Sequence, residues 1–353
     1  MPYKIGLVGL PNAGKSSLFS FLTEKDWDKI KNYPFATIEP NVGIMPLPDP
    51  RLEKLSQHWK SQKTTPSMVE IIDIAGLVKG ASQGIGLGNE FLSHIREVDL
   101  ICQVLRCFPE KEIINVEKTV NPLRDFETIQ LELIWADLQQ ITRKLKKLKV
   151  GDKKSQKEQK LLQLIQTKLN QGISLNQLDL TQEEKETIRA YNFLTAKPFF
   201  LLLNYSGNEA EIKKIIEFSQ TNRLHFFPLA VKLESQIKQL SLAERQEIGL
   251  GRTNFTPLAE KIKDLLKLKT FFTVGTDETR SWLTRQETNA KECAGLIHSD
   301  LQKGFIQVEV YNYNEWEINL NESQSTTGNK IKKEGARYVV KEGDICYFIS
   351  RKV

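Results

Sequence analysis

Eight consecutive residues, Gly9-Leu10-Pro11-Asn12-Ala13-Gly14-Lys15-Ser16, constrain this chain more than any others. They follow an apolar run from Lys4 to Val8 that reads as a buried strand, and Lys15 to Leu22 opens a helical pattern behind them. A glycine, four residues, then Gly-Lys-Ser between a strand and a helix is the P-loop spacing. Its glycines let the backbone curl so that successive N–H groups face an anion, and the helix N-terminus adds its dipole. The segment Asn12, Ala13, Gly14, Lys15, Ser16 and Ser17 is therefore expected to cradle nucleotide phosphates. In that arrangement Lys15 reaches the terminal phosphates and the Ser16 hydroxyl serves Mg²⁺. A bare glycine turn without a ligand is the competing reading, and the context disfavours it.

A second element agrees. Asp73-Ile74-Ala75-Gly76 closes an apolar strand, placing a carboxylate where it can meet Mg²⁺ through water and a glycine N–H where it can meet the γ-phosphate. Taken alone, Asp73 could as well cap a helix. Thr37, between the first two strands in Tyr33-Pro34-Phe35-Ala36-Thr37-Ile38, is a candidate second Mg²⁺ ligand on a switch segment; otherwise it is an ordinary loop residue. Ras-like enzymes orient the attacking water with a glutamine directly after Asp-x-x-Gly, and here that position is Leu77, which can neither donate nor accept a hydrogen bond.

The P-loop implies an α/β sheet, and six strand candidates supply it: Lys4–Val8, Asn41–Met45, Met68–Asp73, Asp99–Arg106, Phe199–Asn204 and His225–Leu229. With helices between them they predict a mostly parallel sheet covered on both faces. Residues 122–195 interrupt the series. Phe126, Ile129, Leu133, Ile134, Leu138, Ile141, Leu145 and Leu148 recur at three- and four-residue steps, and Leu161, Leu164, Ile165 and Leu169 continue the period beyond Gly151-Asp152. That pattern predicts an antiparallel helical hairpin. Its tip carries Arg143, Lys144, Lys146, Lys147, Lys149, Lys153, Lys154 and Lys157. So dense a positive run on a projecting element favours contact with a nucleic-acid backbone over a merely solvated face.

Beyond Leu268 the pattern changes to short strand-like pieces, Phe271–Val274, Phe305–Val310, Tyr338–Val340 and Ile345–Ile349, with a helix near Ala290–His298 and a mobile loop expected at Asn319–Lys330. The expected domains are thus 1–121 with 196–269, the hairpin 122–195, and a small α+β domain at 270–353. Lys332, Lys333, Arg337 and Lys341 add positive charge to the last.

The composition of 353 residues, 40% hydrophobic and 27% charged with a net charge of +6, fits a folded protein of ordinary class. No apolar run approaches the ~18–20 residues of a membrane span, and the first residues enter a strand without a signal segment, so a cytoplasmic protein without a membrane partner is expected. Nothing sets its oligomeric state. Cys102, Cys107, Cys293 and Cys346 form no C-x-x-C pair and are expected to be structural. His58, His94, His225 and His298 lack metal-ligand spacing, and the five tryptophans are expected to pack rather than to stack on bases.

The sequence closely resembles the Obg-like ATPase (YchF) family. The resemblance rests on Gly6 to Ser17, on Tyr33-Pro34-Phe35-Ala36-Thr37-Ile38-Glu39-Pro40-Asn41, on Asp73 to Ser82 with Gly86-Leu87-Gly88-Asn89, and on Thr279-Arg280-Ser281-Trp282, Ile297-His298 and Gly304-Phe305-Ile306. It implies a Ras-like P-loop domain, the inserted hairpin and a C-terminal β-grasp (TGS) module. It further implies a slow, Mg²⁺-dependent ATPase that associates with ribosomes, with ribosomal RNA gripped by the hairpin and the TGS domain.

The same resemblance assigns Asn204, the backbone of Tyr205 and the Leu229-Ala230-Val231 loop to the adenine, and makes Asn12 a candidate K⁺ ligand. Guanine-specific relatives carry Asn-Lys-x-Asp after the fifth strand, and the YchF pattern is Asn-x-x-Glu; this chain has Asn204-Tyr205-Ser206-Gly207 and so departs from both. Glu209 is the nearest candidate substitute. The family's catalytic histidine aligns with Asn115, which can hydrogen-bond a water but cannot take up a proton near neutral pH. Lys15, Gly76 and Asn115 are then the expected catalytic set, and hydrolysis is expected to be slow. A nucleotide-gated ribosome-binding module with negligible hydrolysis, or a GTPase, are the alternatives.

Overall fold

The computed structural model describes residues 2–23, 41–74, 89–109, 120–148, 151–247, 253–321 and 331–351. The chain divides into two compact units, one of Tyr3–Ile44 and Glu70–Asn254, the other of Met1–Pro2, Met45–Val69 and Phe255–Val353. Its strands are β1 (Tyr3–Val8), β2 (Val42–Leu47), β3 (Lys63–Thr65), β4 (Ser67–Asp73), β5 (Leu100–Arg106), β6 (Phe199–Asn204), β7 (Phe226–Leu229), β8 (Leu268–Thr273), β9 (Glu278–Arg285), β10 (Phe305–Asn312), β11 (Lys332–Glu334) and β12 (Asp344–Ser350).

The first sheet has the order β2-β4-β1-β5-β6-β7. Neighbours β1–β5, β5–β6 and β6–β7 run parallel. All six sequence-derived strands are in it. The central strands read as continuous apolar runs because both faces are covered: every residue of β5 is buried, as are Phe200 to Asn204 of β6. Each fully buried Leu or Ile here contributes roughly 1.5–3 kcal/mol relative to exposure. Register sets Arg106 opposite Asn204 and Asn204 opposite Leu229, so the chain leaves these three strands at one edge.

The hairpin consists of helices Pro122–Lys147 and Lys153–Asn170. Asn121 caps the first, accepting from the Arg124 amide with Pro122 at the first turn, and Asp152 caps the second by accepting from the Ser155 amide. The two helices meet through Ile134, Ile141, Leu161, Leu162 and Ile165, packed with Leu175, Ile188 and Phe193 from the returning chain. Buried Asp137 ties that return down, accepting from the amides of Leu194 at 3.0 Å and Thr195 at 2.8 Å just before β6 begins. Leu164 and Trp135 depart from the packing expectation: they are 47% and 55% exposed.

The second sheet has the order β11-β10-β12-β8-β9-β3. Helix Ala290–Ile297 supplies Ala290 and Cys293 to its core beside Phe271, Val308, Val310 and Cys346, the β-grasp arrangement. β3 lies parallel to β9, so a segment expected in the N-terminal domain belongs to this unit instead. β9 itself escaped the sequence reading because its buried positions are Thr279, Ser281 and Thr284, which break the apolar alternation. Their hydroxyls are used: Ser281 Oγ accepts from the Ser67 amide at 2.7 Å, and Thr279 Oγ1 pairs with Ser61 Oγ at 2.7 Å. Tyr338–Val340 contributes one isolated bridge, Val339 to Asn289, rather than a strand. Residues 319–321 of the expected loop are the end of helix Tyr313–Asn321, and 322–330 lie outside the described residues.

Candidate functional site

The P-loop turns on Gly14, whose φ of 94° starts helix Lys15–Leu22 without a side-chain cap. A Cβ built on Gly14 would stand 2.2 Å from Asn204 Nδ2, so the position needs both glycine's conformational freedom and its lack of a side chain. Lys15 folds its ammonium back over the loop, donating to the carbonyls of Gly9 at 2.9 Å and Leu10 at 3.3 Å. Burial lowers its pKa from the ordinary lysine value, opposed by the charge of Asp73. Ser16 Oγ donates to Asp73 Oδ2 at 3.3 Å, and Asp73 Oδ1 is buried with no hydrogen-bond partner among the described residues.

Two strands along the sheet, β6 ends at Asn204. Its Nδ2 donates to the Ala13 carbonyl at 2.9 Å, and its Oδ1 accepts from the Val231 amide at 3.4 Å. Asn204 is thus a buried strut between the phosphate loop and the loop after β7. The Tyr205 amide donates to the Leu229 carbonyl at 3.3 Å, so a contact from the Tyr205 backbone to a base falls to its carbonyl. Ala230 is buried at the entry to helix Val231–Gln239, where its carbonyl accepts from Glu234.

These elements enclose an open cavity of about 910 Å³. Asn12, Gly14, Lys15, Ser16 and Ser17 line one part of it; Phe108, Asn204, Tyr205, Ser206 and the Val231–Gln239 helix line the rest. The sequence reading missed Phe108, Ser206 and the polar helix face of Lys232, Ser235, Gln236 and Gln239. The four-residue recurrence of polar side chains there was the available signal. Thr37, Gly76, Leu77 and Asn115 lie outside the described residues.

On the hairpin, Lys144 pairs with Glu158 at 3.5 Å and Lys157 with Glu183 at 2.9 Å. Arg143, Lys146, Lys147, Lys153 and Lys154 make no ion pair among the described residues, and Lys149 is outside them. In the other unit Lys332 pairs with Glu315 at 3.6 Å and Lys333 with Glu309 at 3.7 Å. All four cysteines are free and buried; burial pushes the Cys107 thiol up to about 12 and that of Cys293 to about 11, so neither is a nucleophile near neutral pH. No described helix is long and apolar enough to cross a membrane.

A parallel sheet whose first strand feeds this glycine loop, with lysine, serine and a strand-end aspartate converging on it, defines a P-loop NTPase. The comparisons agree. The MMR_HSR1 family model, described as 50S ribosome-binding GTPase, matches residues 4–135, and YchF-GTPase_C, described as protein of unknown function (DUF933), matches residues 268–350. The ribosome-binding ATPase YchF of Mycoplasma genitalium is 43% identical, with 97% of this chain and 98% of that protein covered. That of Bacillus subtilis is 39% identical over 99% of each. The solved structure of the Schizosaccharomyces pombe YchF GTPase aligns with a TM-score of 0.86 at 31% identity, covering 98% of this chain and 97% of that one. This chain belongs to the YchF family.

Proposed function

We propose that the chain is a slow Mg²⁺-dependent ATPase that binds ribosomes, its nucleotide state setting that affinity. Lys15 and Ser16 line one part of the cavity and Asp73 accepts from Ser16 Oγ, and this convergence carries the reading. Lys15 exchanges the Gly9 and Leu10 carbonyls for phosphate oxygens, while the Gly14 turn presents backbone N–H groups to them. The residues present fit Mg²⁺: Ser16 Oγ and Asp73 are hard oxygen donors, and Asp73 Oδ1 is buried and unpaired among the described residues. When bound, Mg²⁺ neutralises charge on the phosphates. Thr37 is the proposed further ligand, Gly76 the proposed γ-phosphate contact, and Asn12 the proposed K⁺ ligand.

Relatives are named for ribosome binding, and the hairpin supplies the chemistry for it here. Five cations that make no ion pair among the described residues favour a phosphate backbone, with salt-sensitive, largely sequence-independent contact. Lys332 and Lys333 face Glu315 and Glu309 in exposed ion pairs, whereas these five hairpin cations face no such carboxylate among the described residues, so the hairpin is the first surface to test. Reversing Arg143, Lys146, Lys147, Lys153 and Lys154 to glutamate should lower ribosome co-sedimentation at least about tenfold at near-physiological salt. Unchanged co-sedimentation would sink the hairpin assignment. A second reading, nucleotide-gated binding with negligible hydrolysis, is favoured by Leu77 and Asn115 at the two water-handling positions. Single-turnover hydrolysis with and without ribosomes separates the two.

A further inference from the structure

The loop after β6 carries a carboxylate that the Asn-x-x-Glu pattern does not place. Gly207 adopts a φ of 107°, a left-handed conformation that strains any residue with a side chain. Through this turn the chain doubles back: Asn208 accepts from the Ala210 amide, and a short 3₁₀ turn, Glu209–Glu211, follows. Glu211, not Glu209, then reaches the cavity wall. Its Oε2 accepts from the Ser206 amide at 3.0 Å and its Oε1 from the Ser206 hydroxyl at 2.7 Å.

The consequence lies in what Ser206 has left to offer. A hydroxyl has one hydrogen and two lone pairs. Here the hydrogen is committed to Glu211, so the Oγ of this cavity-lining residue presents acceptor character. Ser206 follows β6, which lies two strand spacings, about 10 Å, from β1, so it stands on the side of the cavity away from Lys15, where the inference places the base of a bound nucleotide. A purine with an amino group at C6 brings an N–H donor to such an oxygen; a purine with a carbonyl there brings a second acceptor.

We infer that Ser206, oriented by Glu211, is a specificity-determining residue that selects a 6-amino purine over a 6-oxo purine. The inference rests on reading the cavity as a nucleoside triphosphate site. It assigns the selectivity role of the missing residue-207 carboxylate to an indirect device, in which Glu211 fixes the polarity of a neighbouring hydroxyl without touching the base.

Equilibrium binding of ATP, purine riboside triphosphate (hydrogen at C6) and GTP, each with Mg²⁺, to the full chain tests it. Ser206→Ala should weaken ATP about fivefold and leave purine riboside triphosphate essentially unchanged, because only ATP loses a hydrogen bond. Glu211→Gln, whose amide can donate to Ser206 and free the hydroxyl hydrogen, should lower the ATP-to-GTP preference by a similar factor. Equal weakening of ATP and purine riboside triphosphate in Ser206→Ala would show a merely structural loop residue and overturn the inference. So would an unchanged ATP-to-GTP preference in Glu211→Gln. Wild-type protein that binds none of the three would instead remove the nucleotide reading beneath it.

Discussion

The two ends of the cavity are built in opposite ways. At the phosphate end, most of the described residues come from one stretch of chain: Lys15 bonds the carbonyls of Gly9 and Leu10, and Asp73 reaches Ser16 from the end of β4. At the other end, Asn204 joins Ala13 to Val231, and Ser206 is set by Glu211 across a glycine turn. A local site is dictated by spacing and turn conformation, so it is visible as a motif. An assembled site depends on which strand ends lie side by side, so its chemistry can move from one residue to another without leaving a pattern.

The sharpest way to break this comparison is Gly14→Ala, because that position serves both ends. The new methyl would meet Asn204 Nδ2 at 2.2 Å and would hold a non-glycine residue at a φ of 94°, a backbone strain of about 1–3 kcal/mol. Triphosphate affinity should fall on the order of a hundredfold in a filter or calorimetric binding assay, since strain and strut displacement add. A smaller effect separates the ends. Asn204→Ala leaves the Ala13 carbonyl and the Val231 amide buried and unpaired, which should cost about 1–3 kcal/mol in urea unfolding while sparing the P-loop's own turn. A stability loss below that range would mean that the two ends are held independently.

The smallest effect belongs to pH. Burial depresses the Lys15 pKa in the free protein, and bound phosphates would raise it again. The group therefore takes up a proton more readily in the complex. Affinity should be greatest below the free-state pKa of Lys15 and should decline as pH rises through it toward the bound-state value, a trend that Lys15→Ala should abolish. Calorimetric titrations between neutral and alkaline pH measure the slope directly.

Sequence alone carried the P-loop turn between β1 and its helix, the six strands of the first sheet and the hairpin, each of which follows from a local period or spacing. Other features escaped for physical reasons. β9 is stabilised by buried hydroxyls at Thr279, Ser281 and Thr284, which a hydrophobicity pattern reads as polar. β3 is three residues, Lys-Thr-Thr, too short and polar to announce a strand, yet it pairs parallel to β9 more than two hundred positions away. Leu164 sits on a helical period that predicts burial, but helix Lys153–Asn170 leaves that position 47% exposed, because the period spans more of the helix than its partners cover. Proximity along the chain pointed to Glu209, whereas the carboxylate that bonds Ser206 is Glu211, beyond the turn at Gly207.

The central claim is that local phosphate binding is joined to an assembled, adenine-selective end. Competition of ATP against GTP for the Mg²⁺-loaded protein tests it most directly. The account predicts that ATP displaces labelled nucleotide at markedly lower concentration than GTP does, and that both depend on Lys15. Equal potency of the two, or a preference for GTP, would contradict it.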